Sequence, residues 1–233
     1  MSVRFEPPQA SKTLAVMQKA TNSNNMKIIG VLVSLILTQT CLAQFKLTKL
    51  DKDSIPKSIQ YKGNIVEAIR WTDNTGDNIV ILTATDKTQS KNAPDDSYSD
   101  GALYAYHYLV SGDSTKQTWK VYDYVKECPV DMFLYFLDKT FAVTDLNKDG
   151  KAEVWIMYKV SCQGDVSPIP MKIIMYQDNK KFAVRGTTKV KVSATDYMGG
   201  EYSFDEAFKN APAEFRQYAE KLWKEHKVET WKQ

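Results

Sequence analysis

The chain reads as a mainly β protein: an antiparallel sheet of hairpins, forming a sandwich or a propeller-like fragment, with C-terminal helices packed on it. Short runs of β-branched and aromatic residues with polar alternation recur between residues 65 and 187. Clusters of Asp, Asn, Gly and Ser separate them, at the short spacing of hairpins rather than of strand–helix units. No long helical period appears before residue 203.

In chain order, strands are expected over 65–71, 78–85, 103–110 and 118–126, then over 132–137, 140–143, 153–160, 171–177 and 182–187. Turn chemistry lies between them at Asp73-Asn74-Thr75-Gly76, 92–101, Ser111-Gly112-Asp113, 145–150 and Asp178-Asn179-Lys180. The helical C-terminus spans 204–228. Ser203 and Glu206 form a capping box that starts a short helix at Phe204, and Asn210-Ala211-Pro212 interrupts it. Phe215, Ala219, Leu222 and His226 then share one face of a second helix, read as the face docked on the sheet.

Residues 26–43 read as a secretory signal peptide. Met26-Lys27 gives a basic start, 28–37 is an apolar run broken only by Gly30 and Ser34, and Ala43 is the small residue a signal peptidase needs. The run is shorter than the about 20 apolar residues of a membrane-spanning helix. Cleavage after Ala43 is expected to leave one β-rich domain, 44–233, with no transmembrane segment, in the periplasm or secreted. Cys41 raises the rival reading of an outer-membrane lipoprotein, but Thr38-Gln39-Thr40 lacks the Leu and small residues expected there. Residues 1–25 read as a non-native or disordered leader, with Met1, Met17 and Met26 as alternative starts.

Four of the 31 basic residues and one of the 28 acidic ones lie in residues 1–43, so 27 of each remain beyond them. A neutral chain without Lys/Arg runs has no electrostatic footprint for nucleic acid or anionic membrane. Two cysteines remain, Cys128 and Cys162. Outside the cytoplasm an even pair points to a disulfide, worth roughly 3–4 kcal/mol in the chain-entropy model; two buried thiols is the competing reading.

Asp145-Leu-Asn147-Lys-Asp149-Gly150-Lys-Ala-Glu153 is the most specific motif. Oxygen-bearing side chains stand at positions one, three, five and nine, with Gly at six for the sharp turn. Calcium requires several hard oxygen ligands, and a tight turn folds alternate side chains toward one point. An EF-hand would next need Glu at position twelve, where Ile156 stands, and helical flanks, where these are strand-like. The motif instead resembles the D-x-[DN]-x-D-G-x-x-[DE] strand–loop–strand element of FG-GAP and related calcium-loop repeats of extracellular β proteins. That resemblance implies calcium held by Asp145, Asn147, Asp149 and Glu153. An Asx-rich hairpin turn without metal is the competing reading. The segment from Trp71 through Asp73, Gly76 and Asn78 echoes the layout without the full ligand register, and reads as a turn.

A second cluster, Cys162-Gln-Gly164-Asp165-Val-Ser167-Pro168, offers Asp165 and Ser167 as a candidate loop site. The plainer reading is a disulfide-tied loop held extended before Pro168. A strand separates it from the Asp145 loop by roughly 26 Å, so two separate sites are expected. Taken together, VTDLNKDGKAEVW, SCQGDVSP, MKIIMY and KKFAVRG resemble an uncharacterised family of secreted Bacteroidota proteins labelled as involved in surface polysaccharide biosynthesis. The resemblance implies an envelope role and is silent on mechanism.

Signs of catalysis are sparse. His107 and His226 are the only histidines, and no G-x-S-x-G elbow, phosphate-cradling Gly loop or zinc spacing occurs. Asp131, Asp165 and Glu201 could supply a glycosidase pair, yet nothing in the sequence brings them together. The 13 tyrosines and five tryptophans suit sugar stacking, although strand aromatics more often pair with each other. The expected function is that of an exported, non-catalytic envelope protein that binds calcium. It would support surface polysaccharide or lipopolysaccharide production by binding an envelope protein or glycan. The alternative is a carboxylate-dependent glycan-processing enzyme.

Overall fold

A computed structural model describes residues 45–91 and 93–229. The signal-peptide segment 26–43, with Cys41, and the leader 1–25 lie outside the described residues.

Every expected strand forms, and all pair antiparallel. The first sheet holds β1 (Thr48–Lys49), β2 (Asn64–Asp73), β3 (Gly76–Ala84), β4 (Thr88–Gln89), β5 (Ser99–Ser111) and β6 (Ser114–Cys128). β1, β2, β3 and β5 are neighbours in that order; β6 lies along the other edge of β5, and β4 pairs with the start of β5. The second sheet holds β7 (Met132–Phe136), β8 (Ala142–Thr144), β9 (Glu153–Cys162), β10 (Pro170–Gln177) and β11 (Lys180–Thr187). β12 (Lys189–Lys191) and β13 (Tyr197–Gly199) form a small separate hairpin, and β14 (Tyr202–Phe204) closes the second sheet beside β11.

Alternation along each strand sorts the side chains into three buried layers. Between the sheets, Val80, Leu82, Leu103, Ala105 and Val121 of the first meet Val154, Ile156, Tyr158 and Ile174 of the second. The opposite face of β9 and β10 carries Trp155, Met157, Ile173 and Met175, which bury against Phe208, Phe215, Ala219 and Leu222 of the C-terminal helices. The outer face of the first sheet places Ile79, Ile81, Tyr104 and Tyr106 under Leu50, Ile55 and Ile59 of the incoming chain. β9 is therefore buried on both faces, and its apolar run lacks alternation for that reason.

The helices are α1 (Glu206–Lys209) and α2 (Ala213–His226). The N-cap of α1 is Asp205, whose Oδ1 accepts from the Phe208 N–H at 2.9 Å. Ser203 lies in β14 opposite Arg185, so strand pairing removes it from the expected capping box. Trp155 anchors the docked face: it is fully buried against Phe208, Phe215 and Tyr218, and its Nε1 donates to Thr144 Oγ1 at 2.8 Å.

The tyrosines of β5 and β6 stack on one another rather than offering free faces. Tyr104 lies opposite Tyr122 with ring centroids 5.0 Å apart, and Tyr122 lies 5.1 Å from Tyr124. Lys120 and Lys126 cap this ladder through cation–π contacts.

β9 gives the sandwich two distinct ends. At its C-terminal end Cys162 is joined to Cys128, the last residue of β6, with the Cα atoms 5.7 Å apart. The disulfide thus links the two sheets. At its N-terminal end lies the loop of residues 145–152.

Candidate metal loop and its docking turn

The 145–152 loop joins β8 to β9 and folds around Asp145. Its Oδ1 accepts from the Asp149 N–H at 3.0 Å and its Oδ2 from the Gly150 N–H at 3.1 Å. Asn147 Oδ1 also faces the Asp149 N–H, at 3.3 Å, and its Nδ2 donates to Asp149 Oδ2 at 2.9 Å. Asp149 Oδ1 accepts from the Lys151 N–H, and its Oδ2 from Gln177 Nε2 in β10. Lys148 and Gly150 are both left-handed, at φ 58° and 76°, which lets the chain reverse within a few residues.

Glu153 opens β9 and is fully buried. Its Oε2 accepts from Thr144 Oγ1 at 2.7 Å and from the Leu146 N–H at 2.9 Å, while Oε1 is buried without a hydrogen-bond partner. Burial pushes its carboxyl up to about 7; the Thr144 and Leu146 hydrogen bonds oppose this and nearby Asp145 adds to it. A buried carboxylate with one orphaned oxygen is costly unless something positive meets it.

The donor set fits a hard cation: Asp145, Asn147, Asp149 and Glu153 each carry a side-chain oxygen, and Glu153 has one oxygen with no partner. In the structure as it stands the Asp145 and Asp149 carboxylates face loop N–H groups. Among the described residues, no three His, Cys, Asp or Glu side chains are placed together to hold a metal. The match is one of donor chemistry and of an unsatisfied buried oxygen. Calcium here would neutralise acidic oxygens that share one loop.

The turn at residues 73–76, read from sequence as a plain hairpin turn, docks directly on this loop. The Asn74 N–H donates to the Gly150 carbonyl at 2.9 Å, and Asn74 Nδ2 to the Asp149 carbonyl at 3.2 Å. A Cβ on Gly150 would lie 2.0 Å from Asn74 Nδ2, so the close approach requires glycine as much as φ does. Asp73 Oδ2 accepts from the Ala152 N–H and from Trp71 Nε1, both at 3.0 Å. Its Oδ1 accepts from Thr75 and from Asn78 Nδ2. Burial disfavours its charge, but hydrogen bonds from Thr75, Trp71 and Ala152 outweigh it and hold Asp73 below the usual carboxylate range.

A polar chain continues inward from Asp73. His107 Nε2 meets Asn78 Oδ1 at 3.0 Å and its Nδ1 meets Thr118 Oγ1, so the neutral ring donates from Nε2 and accepts at Nδ1. Thr118 is the bulged residue where β6 slips against His107 and Tyr108. The ring stacks on Trp119, which stacks on Tyr176, and they border a cavity of about 20 Å³, room for a single water. Burial lowers His107 to about 4, with Asp73 and Asp178 partly opposing, so it is uncharged at neutral pH. The histidine belongs to the core network.

The expected pair Asp165 and Ser167 forms a closed turn at the disulfide end. Asp165 Oδ1 accepts from the Ser167 N–H at 3.1 Å, its Oδ2 accepts from Ser167 Oγ, and Gln163 Nε2 donates to the Ser167 carbonyl. β9 separates this turn from the Asp145 loop. The sequence reading missed Asp73 and Asn74 as partners of that loop, and Asn78 as the residue behind Asp73; their signal was the Asp-Asn-Thr-Gly-Asp-Asn echo itself. Among the described residues, no helix is long and apolar enough to cross a membrane. No family model, curated protein or solved structure matches this chain.

Proposed function

We propose that this chain is an exported, non-catalytic protein of the cell envelope. On this reading it supports surface polysaccharide or lipopolysaccharide production by binding a glycan or an envelope protein, and calcium in the Asp145 loop fastens one end of its sandwich. The observation that carries the reading is the orphaned Oε1 of buried Glu153 at position nine of a loop whose positions one, three and five bear side-chain oxygens. An exported protein meets abundant calcium, and an oxidising compartment preserves a bond such as that between Cys128 and Cys162. The signal-peptide pattern and the resemblance of four segments to secreted proteins labelled for surface polysaccharide biosynthesis support the same address.

The test is a deletion strain examined for lipopolysaccharide and capsule, complemented by the wild type or by Asp149→Ala. Altered polysaccharide that the wild type restores, and the variant restores poorly when calcium is scarce, is the expected result. Unchanged polysaccharide in the deletion strain would overturn the envelope role.

A further inference from the structure

The inner face of the second sheet is only partly roofed by the first. On β9 and β10, Ile156, Tyr158, Ile174 and Tyr176 are buried there. One strand further out, β11 turns Lys181, Ala183 and Arg185 to the same face, and of these only Ala183 is buried. Lys172 on β10 lies directly opposite Arg185, with Tyr158 of β9 on its other side. From the first sheet, Asp123 of β6 reaches this corner: it pairs with Lys172 and accepts from the Tyr158 hydroxyl at 3.1 Å.

Lys172, Lys181 and Arg185 therefore share one face on neighbouring strands, and only Lys172 is paired with Asp123. Among the described residues, neither Lys181 nor Arg185 forms an ion pair. Partial burial, and then the Arg185 and Lys172 charges, hold the Lys181 ammonium below its usual range, with Asp123 and Asp205 opposing. Like charges directly opposite each other in a sheet cost stability. The chain beyond residue 43 is neutral in sum, so this is a local separation of charge rather than a general basicity.

We propose that Lys172, Lys181 and Arg185 form a binding site for an anionic oxygen group on a glycan, a uronate carboxylate or a phosphate ester. This rests on the glycan-binding reading above and names the glycan as acidic. Arg185 supplies the planar fork that carboxylate and phosphate accept in pairs, and Lys172 and Lys181 act as point charges beside it. Asp123 aims Lys172 and leaves acceptor capacity for a sugar hydroxyl. Lys181 and Arg185 are exposed on this face of the sheet, so a polymer can lie across it.

The test is calorimetric titration of the calcium-loaded protein with three probes: trigalacturonate, a phosphomannan oligosaccharide and a neutral malto-oligosaccharide. At least one acidic probe should bind, more weakly as salt rises from about 0.05 to 0.5 M. Which one binds separates carboxylate from phosphate. The double variant Lys181→Gln/Arg185→Gln should weaken that binding by about tenfold or more. It should melt no lower than the wild type, because both residues are exposed and like charges are removed. Lys126→Gln, on the outer face of the first sheet, should bind as the wild type does. Binding by neither acidic probe, equal binding by the double variant, or equally tight neutral binding would each overturn the site. Such a failure beside an altered polysaccharide in the deletion strain removes the site and leaves the envelope role standing.

Discussion

The two ends of the sandwich are fastened by different chemistry. At one end a covalent bond joins Cys128 of β6 to Cys162 of β9. At the other, the Asp73 turn and the Asp145 loop meet through three hydrogen bonds, from Asn74 N–H to Gly150, from Asn74 Nδ2 to Asp149, and from Ala152 to Asp73. The covalent end is indifferent to pH and ions, whereas the polar end contains half-buried Asp73 and buried Glu153 and responds to both. The contrast teaches that one fold can carry a fixed end and an adjustable end, provided a strand as long as β9 keeps them apart.

The largest expected effect comes from breaking the covalent end. Cys128→Ser/Cys162→Ser should lose about 3–4 kcal/mol of unfolding free energy, read from urea denaturation. Its calcium response should be unchanged, because distant sites add. A calcium response that vanishes with the disulfide would mean that the ends are not independent.

Next is acid. His107 is held at about 4 when folded and titrates near 6.5 when unfolded. The unfolded chain therefore binds its proton first, so the stability from neutral His107 is complete above pH 6.5 and is lost as pH falls toward 4. The full loss is about 3 kcal/mol. In chelator, raised Glu153 acts in the opposite sense over an overlapping window, so the clean measurement is the difference between wild type and His107→Gln at pH 7 and pH 4.5. Identical pH slopes for the two proteins would remove His107 from the account.

Calcium should sharpen the polar end alone. At a hundredfold excess over Kd the gain is about 2.7 kcal/mol, and loops of this type often need about 0.1–1 mM ion. The melting temperature should rise with calcium and fall with chelator, and either Asp149→Ala or Glu153→Gln should abolish the difference. Equal melting curves would leave an Asx-rich turn. The smallest effect is steric. Gly150→Ala forces a left-handed residue against Asn74 and should cost about 1–3 kcal/mol, part of it recovered in the Asn74→Gly/Gly150→Ala double variant. No recovery would mean that φ, not contact, decides the cost.

Period and turn chemistry made the nine principal strands legible, and the Asp145 motif was legible because its spacing is local. The short strands were not: β1 and β4 have two residues each, too few for a period, and exist because a neighbour's edge receives them. Ser203 misled because a local cap competed with pairing to Arg185, and the ladder won. Asp73 looked like a turn residue only because its long-range partner, Ala152, is far along the chain.

By itself, then, the sequence determined the class of fold, the principal strands along the chain, the helical end and the residues of the candidate loop. These follow from contacts between near neighbours, where spacing alone dictates which side chains share a face. Only the tertiary structure decided which cysteine end closes, that the Asp73 turn caps the Asp145 loop, that Glu153 keeps an oxygen unmatched, and that Lys172, Lys181 and Arg185 gather at an unroofed corner. Those depend on how one sheet is laid over another, a long-range arrangement set by core packing and not written in any local period.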